Sequence, residues 1–417
     1  MTIYEKIREM VEQNKEDYIS FLRDLVRADT TDYNEDNGQA ILRRRLEQLP
    51  CEIDFFAPEP EKLLKKYEDF NEGHTYENRH NLVAVFKGEE DTPGLVLNGH
   101  MDTVFPNDPD AWLSDPFENE VRDGKLYGLG SCDMKSGLAG MTLALEILCK
   151  LGVKFRQDVI LESVIDEEAG GGNGTLADID RGYIAPAALV GEPTSLQPMC
   201  AHVGSVAFRV TFKGSAAHSN VNWEGVNAFE KAMPFIRGFY GMGERWQREM
   251  KHPLFHGPAT SINIIRCGTG AVCVPDECVL EGNFTYLPGY CNAIEDFLAV
   301  LEEASQDEWL QKYPPKLEWL HHVKPYESNT DMPFLKSLLG TLKEQGSGIH
   351  AFQGFATGAD ARLLANVGGM ATVILGPGNI LNAHRANEYV ILEEFLRAIE
   401  LYADILVDYI GIEAGNN

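Results

Sequence analysis

Seven side chains of this sequence could do chemistry together: His100 and Asp102 in LVLNGHMDTV, Asp133 in YGLGSCDMKSG, Glu167 and Glu168 in VIDEEAGGGNG, Glu192 in VGEPT, and His384 in ILNAHRANEYV. Taken singly each is ordinary, since a histidine after a strand is most often a hydrogen-bonded structural residue and an acidic pair before glycines a solvated turn. Taken together, two imidazoles and several carboxylates are the borderline nitrogen and oxygen donors that suit Zn²⁺. Two such cations need a bridging carboxylate to offset their repulsion. Adjacent acids such as Glu167 and Glu168 can divide the labour, one binding metal while the other moves a proton. Asp102, two positions past His100, is placed to accept the second ring N–H of that histidine and fix its tautomer. The glycine-rich GLGSCDMKSG is not a phosphate loop, because it lacks the required Gly-Lys spacing and sets an acid where phosphate would be repelled.

These residues need elements to bring them together. Short apolar runs (NLVAVFKG, GLVLNGH, DVILESVID, AALVGEP) alternate with helical stretches such as SGLAGMTLALEILCKLG, which predicts an α/β sheet. His100, the 166–168 acids and Glu192 all follow strand ends, where open α/β sheets bind ligands. From about residue 197 the order becomes strand (VAFRVTFKG), helix (225–249), two strands (TSINIIRCG and CVLEGNFTYLPG), helix (292–312) and strand (PKLEWLHH). That is the β-α-β-β-α-β order of a ferredoxin-like unit. Helices over 331–345, 358–366 and 391–410, with the strand MATVILGPG, then resume the first pattern. The expected organisation is a catalytic domain of residues 1–196 and 324–417 with a second domain, 197–323, inserted into it.

At 417 residues with 44% hydrophobic content, two soluble domains are the natural division. The 36 basic and 64 acidic residues give a net charge of -28, which repels nucleic acid and anionic membrane surfaces and excludes both as partners. Eight scattered cysteines without a CxxC pair point to a reduced cytoplasm. The N-terminal stretch has the spacing of charged amphipathic helices and not of a signal peptide or a membrane span.

The ordered blocks GHMDTV, YGLGSCDMKSG, DEEAGGGNG, GEPT, GSAAHS, TGADAR and LGPGNILNAHRANEYV resemble the dizinc amidohydrolase family of acetylornithine deacetylase, succinyl-diaminopimelate desuccinylase and the glutamate carboxypeptidases, over residues 10 to 410. The resemblance implies a zinc-exopeptidase-like domain, with a mixed sheet flanked by helices, and an inserted ferredoxin-like α+β lid or dimerisation domain. It implies two Zn²⁺ per chain, with Co²⁺ or Mn²⁺ as substitutes: His100 and Glu192 on one, Glu168 and His384 on the other, Asp133 bridging both. Asp102 would orient His100, Glu167 would act as general base on a water activated by the metals, and a cis peptide is expected at Asp133–Met134. His218 in GSAAHS matches a lid histidine that stabilises the oxyanion, usually in the partner subunit's site. The implied protein is a cytoplasmic homodimer that cleaves the amide of a small N-acyl substrate.

Two positions depart from that family. Its lid commonly carries an Asn before a buried Pro and an Arg before an LPG-like turn, which grip a substrate carboxylate; here Cys273 and Thr285 stand there. Thr cannot supply the bidentate cationic grip of Arg. Arg362 or Arg266 could replace it, although Arg362, close after Asp360, equally suits a structural ion pair. An N-deacylase is the leading reading, with a dipeptidase or carboxypeptidase as the alternative enzyme. A non-catalytic metal- or peptide-binding protein is the alternative of another class.

Overall fold

The computed structural model describes residues 1–106, 108–170, 172–346 and 348–413, so Gly171 of the DEEAGGGNG block lies outside the described residues. The chain divides into two compact units, one of Met1–Cys200, Glu327–Phe355 and Ala359–Asn417, the other of Ala201–Tyr326 and Ala356–Gly358.

The first unit is built on a mixed sheet. At its centre four strands run parallel in the spatial order Asp158–Val164, Pro93–His100, Ala187–Val190, Ala371–Ile374. Antiparallel strands Asn81–Phe86 and Glu52–Phe56 extend one side, and Met199–His202 joins the other. Asp158–Val164 is buried at every position, and Pro93–His100 at all but its first, as strands covered on both faces require. Because the parallel strands share a direction, the segments after His100, Val164 and Val190 emerge on one edge of the sheet, and this edge is where the candidate residues lie.

Helices Ile3–Arg27, Lys135–Lys150 and Leu392–Ile410 pack against one another. The first begins with a capping box between Thr2 and Glu5 and buries one stripe, Ile7, Val11, Tyr18, Leu22 and Leu25. Lys135–Lys150 is buried all round through its first fourteen residues, as a central helix must be. Its glycines permit this closeness: a Cβ on Gly137 would lie 1.9 Å from the carbonyl oxygen of Gly191, so the helix that follows Asp133 touches the backbone just before Glu192. None of the described helices is long and apolar enough to cross a membrane.

The second unit has a four-stranded antiparallel sheet in the order Thr260–Cys267, Glu277–Tyr286, Gly204–Lys213, Lys316–Val323, which is the ferredoxin-like order. Val206, Phe208, Val210 and Phe212 alternate inward along one strand and meet helices Ala228–Glu249 and Ala293–Ala304. The rings of Phe208, Phe235, Phe239, Phe284 and Phe297 interlock there, with Phe208 and Phe297 4.7 Å apart between centroids. Burial of each such ring contributes about 1.5–3 kcal/mol. A small extra pair, Ala217–His218 with Cys273–Val274, sits beside this sheet.

Three expected helices are corrected in extent. The 225–249 helix starts at Ala228, because the Asn227 side chain caps it by accepting the N–H of Phe229 at 2.9 Å. The 292–312 helix is two, Ala293–Ala304 and Glu308–Lys312, because Asp307 accepts the Leu310 N–H at 2.9 Å and begins a new turn. The 358–366 helix is only Ala361–Asn366.

Candidate metal centre

His100 ends its strand with both ring nitrogens committed. Nδ1–H donates to the main-chain carbonyl of Asp102 at 2.9 Å, which leaves Nε2 as the nitrogen that a metal would take. Nε2 faces two carboxylate oxygens, Asp133 Oδ1 at 3.2 Å and Glu192 Oε1 at 3.7 Å. His384, held at a positive φ of 56°, points its own Nε2 at Asp133 Oδ2, 3.4 Å away, and at Glu168 Oε2, 2.8 Å away. Glu167 completes the group, with a carboxylate oxygen within 4.8 Å of ligand atoms of both His100 and Glu192.

Asp102 differs from expectation in one respect. The tautomer-fixing contact comes from its main-chain oxygen, while its carboxylate Oδ1 is 3.7 Å from Nδ1. The other oxygen, Oδ2, accepts the Glu168 N–H at 2.8 Å. The side chain is therefore spent on the turn that carries Glu167 and Glu168, and a two-residue hop from a strand end brings the carbonyl closer to the imidazole than the carboxylate.

The electrostatics of the group call for cations. His100, Asp133 and Glu192 are buried, and the acids outnumber the imidazoles. Burial works against a charged His100, yet Asp133, Glu192, Asp102 and Glu167 hold its pKa well above the usual value. Hydrogen bonds to Asp133 and Glu168 push His384 up to about 11. Burial and neighbouring acids push Glu167 and Glu192 well above the carboxylate range, while Asp133, despite burial, is held below it by the two histidines. Four carboxylates (Asp133, Glu167, Glu168, Glu192) facing imidazole lone pairs would be balanced by the four positive charges of two divalent ions. The donor set fits zinc-class metals on chemistry as well as charge.

Two supporting residues escaped the sequence reading. Glu388 lies inside the block ILNAHRANEYV but was not singled out; its Oε1 accepts the main-chain N–H groups of Cys132 at 2.8 Å and Asp133 at 3.0 Å. It thereby fastens the loop of one histidine to the loop of the central aspartate. Burial raises its pKa to about 8. Lys135, also buried, gives an Nζ hydrogen to the carbonyl of Ala28 at 2.9 Å. The Asp133–Met134 peptide between them is cis.

The remaining candidates are placed as follows. His218 belongs to the second unit, is exposed, and is the strand partner of Cys273; its Nδ1 accepts the Asn220 N–H at 3.2 Å. Thr285 spends its hydroxyl on the Ala259 N–H at 2.8 Å. Arg266 pairs with Glu281 at 2.8 Å, and Arg362, buried, lies 3.9 Å from Asp69.

Comparison with known proteins bears on family and fold. The sequence profile of peptidase family M20/M25/M40 matches residues 96–408. The chain is 27% identical to an N-formyl-4-amino-5-aminomethyl-2-methylpyrimidine deformylase of Halalkalibacterium halodurans, over 95% of each chain. It is 31% identical to an acetylornithine deacetylase of Pectobacterium carotovorum, over 75% of this chain and 79% of that one. Its fold is similar to that of a tripeptidase from Staphylococcus aureus, with a TM-score of 0.73, 19% identity, and coverage of 95% of this chain and 99% of that chain.

Proposed function

The chain belongs to peptidase family M20/M25/M40 and is a metal-dependent hydrolase of N-acyl amide bonds, and from that premise we propose a two-zinc N-deacylase with Glu167 as its general base. The observation that carries the reading is the Asp133 carboxylate, which offers Oδ1 to the side of His100 and Oδ2 to the side of His384. On this reading His100 and Glu192 would hold one ion, Glu168 and His384 would hold the second, and Asp133 would contribute to both. The ions, when bound, lower the pKa of a water toward about 7 and polarise the amide carbonyl.

The protein's own residues then do the proton work. Asp102 keeps the His100 lone pair aimed inward through its carbonyl. Glu167 takes a proton from the attacking water onto its carboxylate and passes it to the departing amine nitrogen. His218 supplies an oxyanion donor from the second unit. The outer strands Thr260–Cys267 and Lys316–Val323 of the four-stranded sheet support a homodimer, since edge strands favour association. Eight unpaired thiols support a cytoplasmic setting.

The substrate carries no carboxylate beside the scissile amide. Thr285 is engaged with Ala259, and Arg266 and Arg362 each face an acid of their own, so none of these three is left to supply the cationic grip that an N-acyl amino acid or a dipeptide would need. A formyl or acetyl group on a non-acidic amine fits, in keeping with the deformylase among the relatives. A panel of N-formyl, N-acetyl and N-succinyl amines beside N-acyl amino acids and dipeptides, assayed with zinc or cobalt, tests this. Faster turnover of the carboxylate-free amides is expected, and a clear preference for dipeptides or N-acyl amino acids would overturn it.

A further inference from the structure

Asp166 stands immediately before Glu167 and Glu168 and holds a φ of 71°, a left-handed conformation that a residue with a side chain adopts only when its surroundings enforce it. The enforcement is visible. Its carboxylate is wholly buried and accepts three hydrogen bonds, all from one short segment: His74 Nδ1 at 2.7 Å, Tyr76 Oη at 2.8 Å and Arg79 Nη2 at 3.2 Å.

Each donor is itself held. Arg79 grips Glu35 through Nε, at 3.2 and 3.1 Å, and through Nη2 at 2.5 Å, with its guanidinium 4.0 Å from the Tyr33 ring centroid. His74 Nε2 accepts from Asn71 Nδ2 at 3.2 Å, which leaves its Nδ1 hydrogen for Asp166. Tyr76 Oη receives Asn173 Nδ2 at 2.6 Å, and Asn173 also exchanges hydrogen bonds with the main chain of Asn71, at 2.9 and 2.8 Å. The segment 71–79 is therefore stitched to both ends of the turn 166–173.

We propose that residues 71–79 form a positioning clamp: His74, Tyr76 and Arg79 act through Asp166 to set the aim of Glu167 and Glu168. A network this closed is more than a stable core needs, because a buried ionic cluster gains little over apolar packing. What it does provide is a fixed main-chain direction at the two positions where an error of about 1 Å costs up to about 10²-fold in rate. The proposal rests on the reading of Glu167 as base and Glu168 as ligand.

The test uses Tyr76→Phe, which removes one donor and keeps the ring, together with Arg79→Lys, Asp166→Asn and Glu167→Gln. Measured for each are kcat, KM, thermal midpoint, and zinc binding by titration of the metal-stripped protein. Expected for Tyr76→Phe is a fall in kcat of about tenfold at unchanged KM, present at temperatures well below the midpoint where the variant is fully folded, with weakened uptake of one of the two ions; Asp166→Asn goes further, and the Tyr76→Phe/Asp166→Asn double variant no further than Asp166→Asn. Unchanged kcat and zinc binding in Tyr76→Phe and Arg79→Lys, beside a dead Glu167→Gln, would overturn the clamp and leave the reaction as proposed. A fully active Glu167→Gln would remove the base, and weakened zinc uptake at constant midpoint would still uphold the clamp for Glu168. Losses of activity that merely track a fall in midpoint across the series would reduce the clamp to a structural role and overturn it.

Discussion

Asp133 Oδ1 lies 3.2 Å from Nε2 of His100, while the other oxygen of the same carboxylate lies 3.4 Å from Nε2 of His384. One side chain thus faces two imidazoles that are 284 positions apart in the sequence (384 minus 100). No other geometry in the centre has this symmetry, and it makes Asp133 the first residue to test. Stripping the protein with a chelator should abolish turnover, and added zinc or cobalt should restore it. Asp133→Ala should lose both ions together, with activity down by more than about 10²-fold. Elemental analysis reads the outcome, and a variant that keeps two ions per chain would show that Asp133 does not bridge.

Glu388 acts on that aspartate through the main chain. Its Oε1 accepts two successive N–H groups, so a neutral amide oxygen at the same place can serve almost as well. Glu388→Ala should weaken metal binding by about 10- to 100-fold, the range for residues that orient ligands without touching the metal, and Glu388→Gln should recover most of it. Competition titration of zinc against a chromogenic chelator measures both. Equal damage from Gln and Ala would mean that the negative charge, and not the pair of hydrogen bonds, is what the loop requires.

His100, Glu168 and Glu192 were legible from position, since each lies at or just past the end of a parallel strand and such strands deliver these positions to one edge, while Asp133 and His384 were legible through the blocks YGLGSCDMKSG and ILNAHRANEYV that carry the family resemblance. The helices of the second unit were legible too, but their ends were not, since Asn227 and Asp307 cap by local hydrogen bonds that compete with an otherwise continuous apolar pattern. Glu388 was hidden for a different reason: its partners are main-chain groups 255 and 256 residues away, and main-chain groups leave no trace in a sequence pattern. Asp102 was found, yet its carbonyl takes the ring N–H that spacing alone assigned to its carboxylate. The segment around His74 and Arg79 reads as an ordinary polar connection, because its value lies wholly in what it closes over.

Away from the metal centre, Glu162 and Asp178 are buried, and each keeps one oxygen, Oε1 and Oδ2, without a hydrogen-bond partner. Burial raises both carboxyls well above their usual range, Asp178 adding to the effect on Glu162. The sign follows directly: in the pH range above the ordinary carboxylate pKa and below the raised ones, the folded chain holds protons that the unfolded chain has released. Stability therefore falls as pH rises through that window. Glu162→Gln removes one of these groups and keeps, through its amide oxygen, an acceptor for the Asn98 side chain. It should be more stable than the parent at pH 8, by about 1–3 kcal/mol, the cost of a buried unpaired polar group, and less so at pH 5. Urea unfolding of the metal-free proteins across that range decides it; parallel pH profiles would show that Glu162 is not what the parent loses stability to.

The proposed assembly has a test that needs no structure of the dimer. Thr260–Cys267 and Lys316–Val323 are the outer strands of the inserted unit's four-stranded sheet, and the first leaves Ile265 53% exposed while the second leaves Leu320 43% exposed. Apolar side chains on unpaired edges are an association liability that pairing with a second copy relieves. His218 is exposed on the same unit and spends only Nδ1 on the Asn220 N–H, so a hydrogen on Nε2 suits a donor that completes a site elsewhere. If it completes the partner's site, Glu167→Ala and His218→Ala chains, each inactive alone by at least about 10²-fold, should regain activity when mixed, because a mixed dimer holds one site with both residues intact. Subunit exchange must be verified in the same sample, for instance by mass-tagged chains. Exchange without recovered turnover, or a monomer that is fully active, would place His218 outside any shared site.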